Sequence, residues 1–199
     1  MRKIFNIILV TLLVCTASTT AMAQDYANPK YLKGMVPLEN GFVVFRQSYE
    51  CPGRTQDEIF NALGDYTKGL VGAKISLKQS RITQLTPEDG IIAASMEETL
   101  TFKSTNWILD TARFFYQVVF TVHDGGFDAM LRRIHYLYEV TDVPGIENTY
   151  SAEDWITDRA ALSRKGKLTR ISGKKFRRCT IDRKDAIFEG AFQAAQGKK

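Results

Sequence analysis

The chain is short of the side chains that most nucleophile and metal chemistry needs. Two histidines and three cysteines are spread over 199 residues. No three of the His, Cys and carboxylate residues cluster with the spacing of a zinc site. Gly-x-Ser-x-Gly is absent, and with it the strained turn that presents a serine nucleophile. Gly-x-Gly-x-x-Gly, the P-loop and Cys-x-x-Cys are absent too. These gaps exclude the commonest hydrolase, dinucleotide and thiol-exchange designs. They leave open a carboxylate pair assembled by folding. No cofactor is indicated. Repeats and low-complexity tracts are also missing. Neither sign of charge dominates: the formal balance is +5, which selects no class of partner by itself.

Long apolar runs are missing as well, save one at the start. Arg2 and Lys3 precede an apolar stretch from Ile4 to Val14, interrupted only by Asn6 and Thr11. Crossing a bilayer takes about 20 residues, so this stretch is too short. A small polar segment and Ala21-Met22-Ala23 follow, which is the layout of a secretory signal peptide cut after Ala23. Residues 1–23 are therefore expected to be removed. The remaining chain, at +3, is expected to be periplasmic or secreted. Cys15 offers a rival, lipoprotein anchoring, but Val14 before it is a poor fit to the small residue that lipidation prefers.

What is present supports a packed domain. Hydrophobic residues make up 44% and aromatics 11%, enough for a core. Residues 24–40 carry Pro29 and Pro37 with little periodicity and read as an N-terminal arm. Residues 41–199 read as a single domain. Gly41 to Glu50 is strand-like. Thr55 with Glu58 three residues on is a capping box that starts a helix near Gln56. Ile59, Phe60, Leu63, Tyr66 and Leu70 give that helix one apolar stripe. Four period-two runs follow: Lys78–Leu85, Gly90–Phe102, Thr111–His123 and Phe127–Thr141, with Thr86–Gly90 and Asp124-Gly125-Gly126 as turns. In the last run Met130, Ile134, Tyr136, Tyr138 and Val140 share the apolar side, and Arg133, His135 and Glu139 the polar side. Ser151 caps a short helix bearing Trp155. A final helix spans roughly Phe176 to Ala195. The order predicts an α+β, two-layer fold: an antiparallel sheet in β-α-β-β-β-β-α order, with both helices on one face and the other face partly open.

Several pieces carry a family resemblance. They are Gly41-Phe42-Val43-Val44-Phe45, Cys51-Pro52-Gly53-x-Thr55-x-x-Glu58-Ile59-Phe60, the strand around Met96 to Phe102, and Lys175-Phe176-Arg177-Arg178-x-Thr180-Ile181-Asp182. Over Gly41 to Ala195 the chain resembles a bacterial exported domain-of-unknown-function family with a TATA-box-binding-protein-like (TBP-like) fold. The resemblance implies the same element order. It implies no activity and no DNA binding.

Several features are candidate sites. Arg113, Gln117, Arg133, His135 and Glu139 share the polar parity and would form a ligand or partner face suited to an anionic or sugar-like group; the plain alternative is a solvated sheet face. Arg164 to Arg178 holds eight cations and no acid. Lys165, Lys167, Arg170, Lys174 and Lys175 are its candidates for weak contact with an anionic membrane surface, against a solvated connector. Phe176 is its only aromatic, so base stacking on nucleic acid is not supported. Cys51 and Cys179 either pair as a disulfide or remain two thiols. Glu97 and Glu98 point to opposite faces and cannot form one catalytic dyad. Glu98 has the buried parity and is expected to escape burial at a strand end. Trp107 is expected in a turn, folded over the edge of the core. The favoured function is a non-enzymatic exported module that binds an envelope protein or small ligand. The alternative is an envelope or glycan hydrolase.

Overall fold

The computed structural model describes residues 28–104, 109–138 and 148–197. The signal segment, Cys15, Trp107 and Glu139 lie outside them. A short helical turn, Pro29–Tyr31, leads into a hairpin of β1 (Leu38–Glu39) and β2 (Phe42–Val43). Its Asn40-Gly41 turn has φ of 51° and 85°, the two positive values that a tight two-residue hairpin requires. Next come β3 (Phe45–Glu50) and α1 (Gln56–Val71), then β4 (Arg81–Thr86), β5 (Ile91–Ser104), β6 (Leu109–His123) and β7 (Gly126–Leu137). After β8 (Thr149–Ser151), α2 (Ala152–Trp155) and α3 (Asp158–Ala161), a π-helical turn, Ser172–Arg177, runs into α4 (Arg178–Ala195).

The main sheet is antiparallel, in the order β3-β7-β6-β5-β4, with β8 also on β7. The capping box forms as the sequence requires. Thr55 Oγ1 accepts from Glu58 N–H at 3.3 Å, and Glu58 Oε2 accepts from Thr55 N–H at 3.0 Å. α1 then buries Ile59, Leu63 and Leu70 against the sheet. α4 lies beside α1 and buries Ile181, Ile187, Phe188 and Ala191. Facing them are Ile92, Ala94 and Met96 of β5, Phe114, Val118 and Phe120 of β6, and Phe127, Ala129 and Leu131 of β7. Each of these side chains larger than alanine contributes roughly 1.5–3 kcal/mol by leaving water.

Two parts of the chain depart from the pattern expected of the sequence. Residues 28–39 are not an arm outside the domain: Tyr31 and Val36 are buried, and the Tyr31 hydroxyl donates to Asp182 Oδ1 at 2.7 Å. Isolated apolar residues among prolines carry no period to read. The last strand does not keep one parity. Gln117 pairs with Arg132 but Phe115 with His135, so β7 holds one extra residue at this point. That residue is Arg133, at φ 56°, and the bulge turns Met130 to the open face.

Buried phenols make the fold sensitive to alkali. Tyr66 donates to Ile187 C=O at 2.9 Å. Burial pushes its hydroxyl from 10.0 up to about 12. A folded value above the unfolded one gives stability that is complete below pH 10 and lost as pH climbs toward 12, at up to about 1.4 kcal/mol per pH unit for one fully buried phenol. Half-buried Tyr49, also raised to about 12 by burial and then by Glu189, adds a smaller share. The urea midpoint is expected to be flat from pH 8 to 9.5 and to fall from pH 10 to 11.5. Absorbance at 295 nm should show the phenolates appearing together with unfolding.

Candidate functional site

The sheet face away from the helices presents cross-strand rows fixed by the register. His135 lies beside Phe115, and Phe115 beside Glu97. Arg132 lies beside Gln117, and Gln117 beside Ser95. The His135 and Phe115 rings stack with centroids 4.5 Å apart and planes 3° apart. The Arg113 guanidinium sits 5.3 Å from the Phe115 ring centre. Its Nε also donates to Glu97 Oε1 at 2.6 Å. Arg132 Nε donates to Gln117 Oε1 at 2.8 Å.

This face runs into a groove of about 570 Å³ at the β7 edge, beside the bulge. Phe42, Val44, Met130 and Ile134 line it with Arg46, Arg132, Arg133 and His135. Its carboxylates, Glu39 and Glu153, are both engaged. Glu39 takes a two-point ion pair from Arg46 at 2.8 and 3.1 Å. Glu153 Oε1 accepts from Val43 N–H at 2.7 Å. Arg133 is exposed and makes no ion pair among the described residues. A non-glycine residue at positive φ stores about 1 kcal/mol. Arg133→Gly is therefore expected to raise the unfolding free energy by up to about 1 kcal/mol, measured in urea; a loss of stability would show that the arginine side chain supports the fold.

Of the face read from sequence, Arg113, Gln117 and His135 do share one surface. Arg133 does not take the row position expected of it, because the bulge gives that place to Arg132. The phase jump was visible: apolar residues fall on 127, 129 and 131, then on 134, 136 and 138. The Asn40-Gly41 hairpin that walls the groove was also signalled and missed.

The basic run is divided. Lys165, Lys167 and Arg170 are exposed, while Lys174 and Lys175 are half-buried. Lys175 Nζ lies 2.6 Å from Asp110 Oδ2 and donates to the Tyr138 hydroxyl at 2.9 Å. The Asp110 carboxylate and then that hydroxyl hold its ammonium above the usual lysine range. Arg177 is fully buried. Cys51 and Cys179 are both free, so the disulfide alternative is corrected. Cys51 shares a cavity with Gln196 at the far end of α4, while Cys179 is in the first turn. The intervening helix spans roughly 25 Å at 1.5 Å per residue, far beyond bridging reach. Burial pushes both thiols above the ordinary range.

Glu98 does not escape burial; it is 1% exposed. Arg183 of α4 forks onto it, with Nε–Oε2 and Nη2–Oε1 both at 2.7 Å. The Tyr116 hydroxyl donates to Oε1 at 2.9 Å. Glu97 points to the open face and Glu98 to the helices, so the two carboxylates do not converge. Among the described residues no group of three or more His, Cys, Asp and Glu side chains is placed to hold a metal. No described helix is long and apolar enough to cross a membrane.

A crystal structure of a DUF4468 family protein from Bacteroides ovatus is 33% identical, with a TM-score of 0.74, over 83% of this chain and 93% of that one. The chain belongs to the DUF4468 family. That family is described as a domain of unknown function with TBP-like fold, and its sequence profile matches residues 45–137. A TBP-like protein from Parabacteroides distasonis shares the fold at a TM-score of 0.64 and 24% identity, over 82% of this chain and 99% of that one. No curated protein matches the chain. The DUF4468 match spans β3 to β7, the strands that carry the open face and one wall of the groove.

Proposed function

We propose that this DUF4468 protein is an exported, non-enzymatic binding module that takes its ligand or partner on the open sheet face and in the groove at the β7 edge. One observation carries the reading: the acids of this surface are committed to protein partners. Glu97 is held by Arg113, Glu39 by Arg46 and Glu153 by the Val43 N–H. Groups tied in this way organise a surface for recognition, and the imidazole on the same face, His135, is stacked flat on Phe115. A groove of this size also falls within the usual range for small-molecule sites. Export rests on the Arg2–Ala23 segment. The exposed Lys165, Lys167 and Arg170 offer weak, salt-sensitive contact with anionic lipid surfaces.

The test immobilises the chain beginning at Gln24 and exposes it to envelope extract from its own organism, beside a Phe42→Glu variant. Phe42 is 67% exposed, so the change spares the core. One component held in stoichiometric amount by the parent and lost by the variant is the expected result. Equal retention by both, or chemical conversion of the retained component, would overturn the reading.

A further inference from the structure

The composition of the groove narrows its ligand class, an inference that rests on the binding role just proposed. Three guanidinium groups, of Arg46, Arg132 and Arg133, stand against the two carboxylates of Glu39 and Glu153. Arg46 is consumed by Glu39. Glu153 is spent on a backbone N–H. Among the described residues Arg132 uses only its Nε, on Gln117. Arg133 is held outward by a bulge at positive φ, the kind of local irregularity that re-aims a side chain beside a site. The surplus is about one positive charge, and it sits at the end nearest His135. Beside Asn40 and His135, the rest of the wall is apolar, with Phe42, Val44, Met130 and Ile134.

We propose that this groove binds a small amphipathic monocarboxylate, with its carboxylate forked by Arg133 and Arg132 and its apolar body lying along Phe42, Val44 and Met130. A planar guanidinium matches a carboxylate in two-point geometry. A dianionic phosphate would face Glu39 and Glu153 with one charge left uncompensated, so a single negative charge fits best. The ring of Phe42, though largely exposed, then becomes the lid of the apolar half.

The experiment is an amide-resonance titration of the chain beginning at Gln24 with three probes that share a phenyl group and a short alkyl linker: 4-phenylbutyrate, 4-phenylbutyramide and a phenylpropyl phosphate. A dozen non-hydrogen atoms at ordinary efficiency give a Kd of about 1 mM for the carboxylate. It should shift the amides of residues 42–46 and 130–135. The neutral amide should bind at least tenfold more weakly, and the phosphate no better than the carboxylate. Arg133→Gln should weaken the carboxylate about tenfold and leave the amide unchanged. Equal binding of acid and amide, tighter binding of the phosphate, or no effect of Arg133→Gln would overturn the assignment. Failure of all three probes, with the envelope component still retained through Phe42, would sink the carboxylate assignment alone and leave the binding role standing. Loss of Phe42-dependent retention would instead remove that role.

Discussion

Replacing Arg177 with methionine is expected to lower the unfolding free energy by about 3–5 kcal/mol, the cost of breaking a buried ion pair from one side. The side chain is 0% exposed. Its Nε donates to Tyr31 C=O at 2.7 Å and its Nη1 to Ile156 C=O at 2.8 Å; Nη2 donates to Leu32 C=O and lies 2.8 Å from Asp158 Oδ1. Methionine fills much of the volume but satisfies none of these acceptors, and each buried carbonyl left bare costs roughly 1–3 kcal/mol. Arg177→Lys should recover only part of the loss, because an ammonium cannot reproduce the planar fork. Asp158→Ala should cost less than Arg177→Met, since Arg177 then keeps its three carbonyl acceptors. Urea unfolding followed by circular dichroism gives all three values. In Arg177→Met, trypsin should also cut early at Lys30 and Lys33. A loss below about 1 kcal/mol would mean that the three carbonyls find other donors.

A cost of similar size, about 3–5 kcal/mol, is expected for Arg183→Met, which strands Glu98 beneath the helices. Exchanging both partners, Glu98→Leu with Arg183→Met, should cost much less, because no charge remains to be desolvated and the pair itself contributes little net stability. The double-mutant cycle should therefore show a coupling of about 2–3 kcal/mol. Tyr116→Phe alone should cost about 1.5–3 kcal/mol, one hydrogen bond to a charged acceptor lost with little change of shape. Additive single effects would show that the Arg183 fork contributes nothing specific. The network also explains why β5 tolerates a glutamate among Met96 and Leu100: α4 brings its counter-ion from 85 residues away.

That distance marks what the sequence could and could not reveal. Features set by neighbours along the chain were legible. Thr55 and Glu58 announced the start of α1, Ser151 the short helix after it, and the alternation through Ile92, Ala94, Met96, Phe114, Val118 and Phe120 the meander with one covered face. Features set by partners far along the chain were not. Nothing near Glu98 predicts Arg183, and nothing near Arg177 predicts Tyr31 or Ile156. In sequence Arg177 is one cation in a basic run; in space it is the only member of that run buried completely among the described residues. The candidate site falls between these cases. Arg113, Gln117 and His135 followed from parity. The groove needed two local irregularities, the Asn40-Gly41 turn and the Arg133 bulge, whose signals were present but brief.

The Arg177 contacts have a consequence for the order in which the protein is made. They join residues 146 and 145 positions apart, and Tyr31 reaches a further 151 positions to Asp182. A polypeptide delivered amino end first, from a ribosome or through a translocation pore, can pair its middle hairpins early. It cannot tie this knot until nearly the whole chain has emerged. Contacts of such long separation also slow folding. The nascent molecule therefore lacks the anchors at Tyr31 and Leu32 until the last helix arrives.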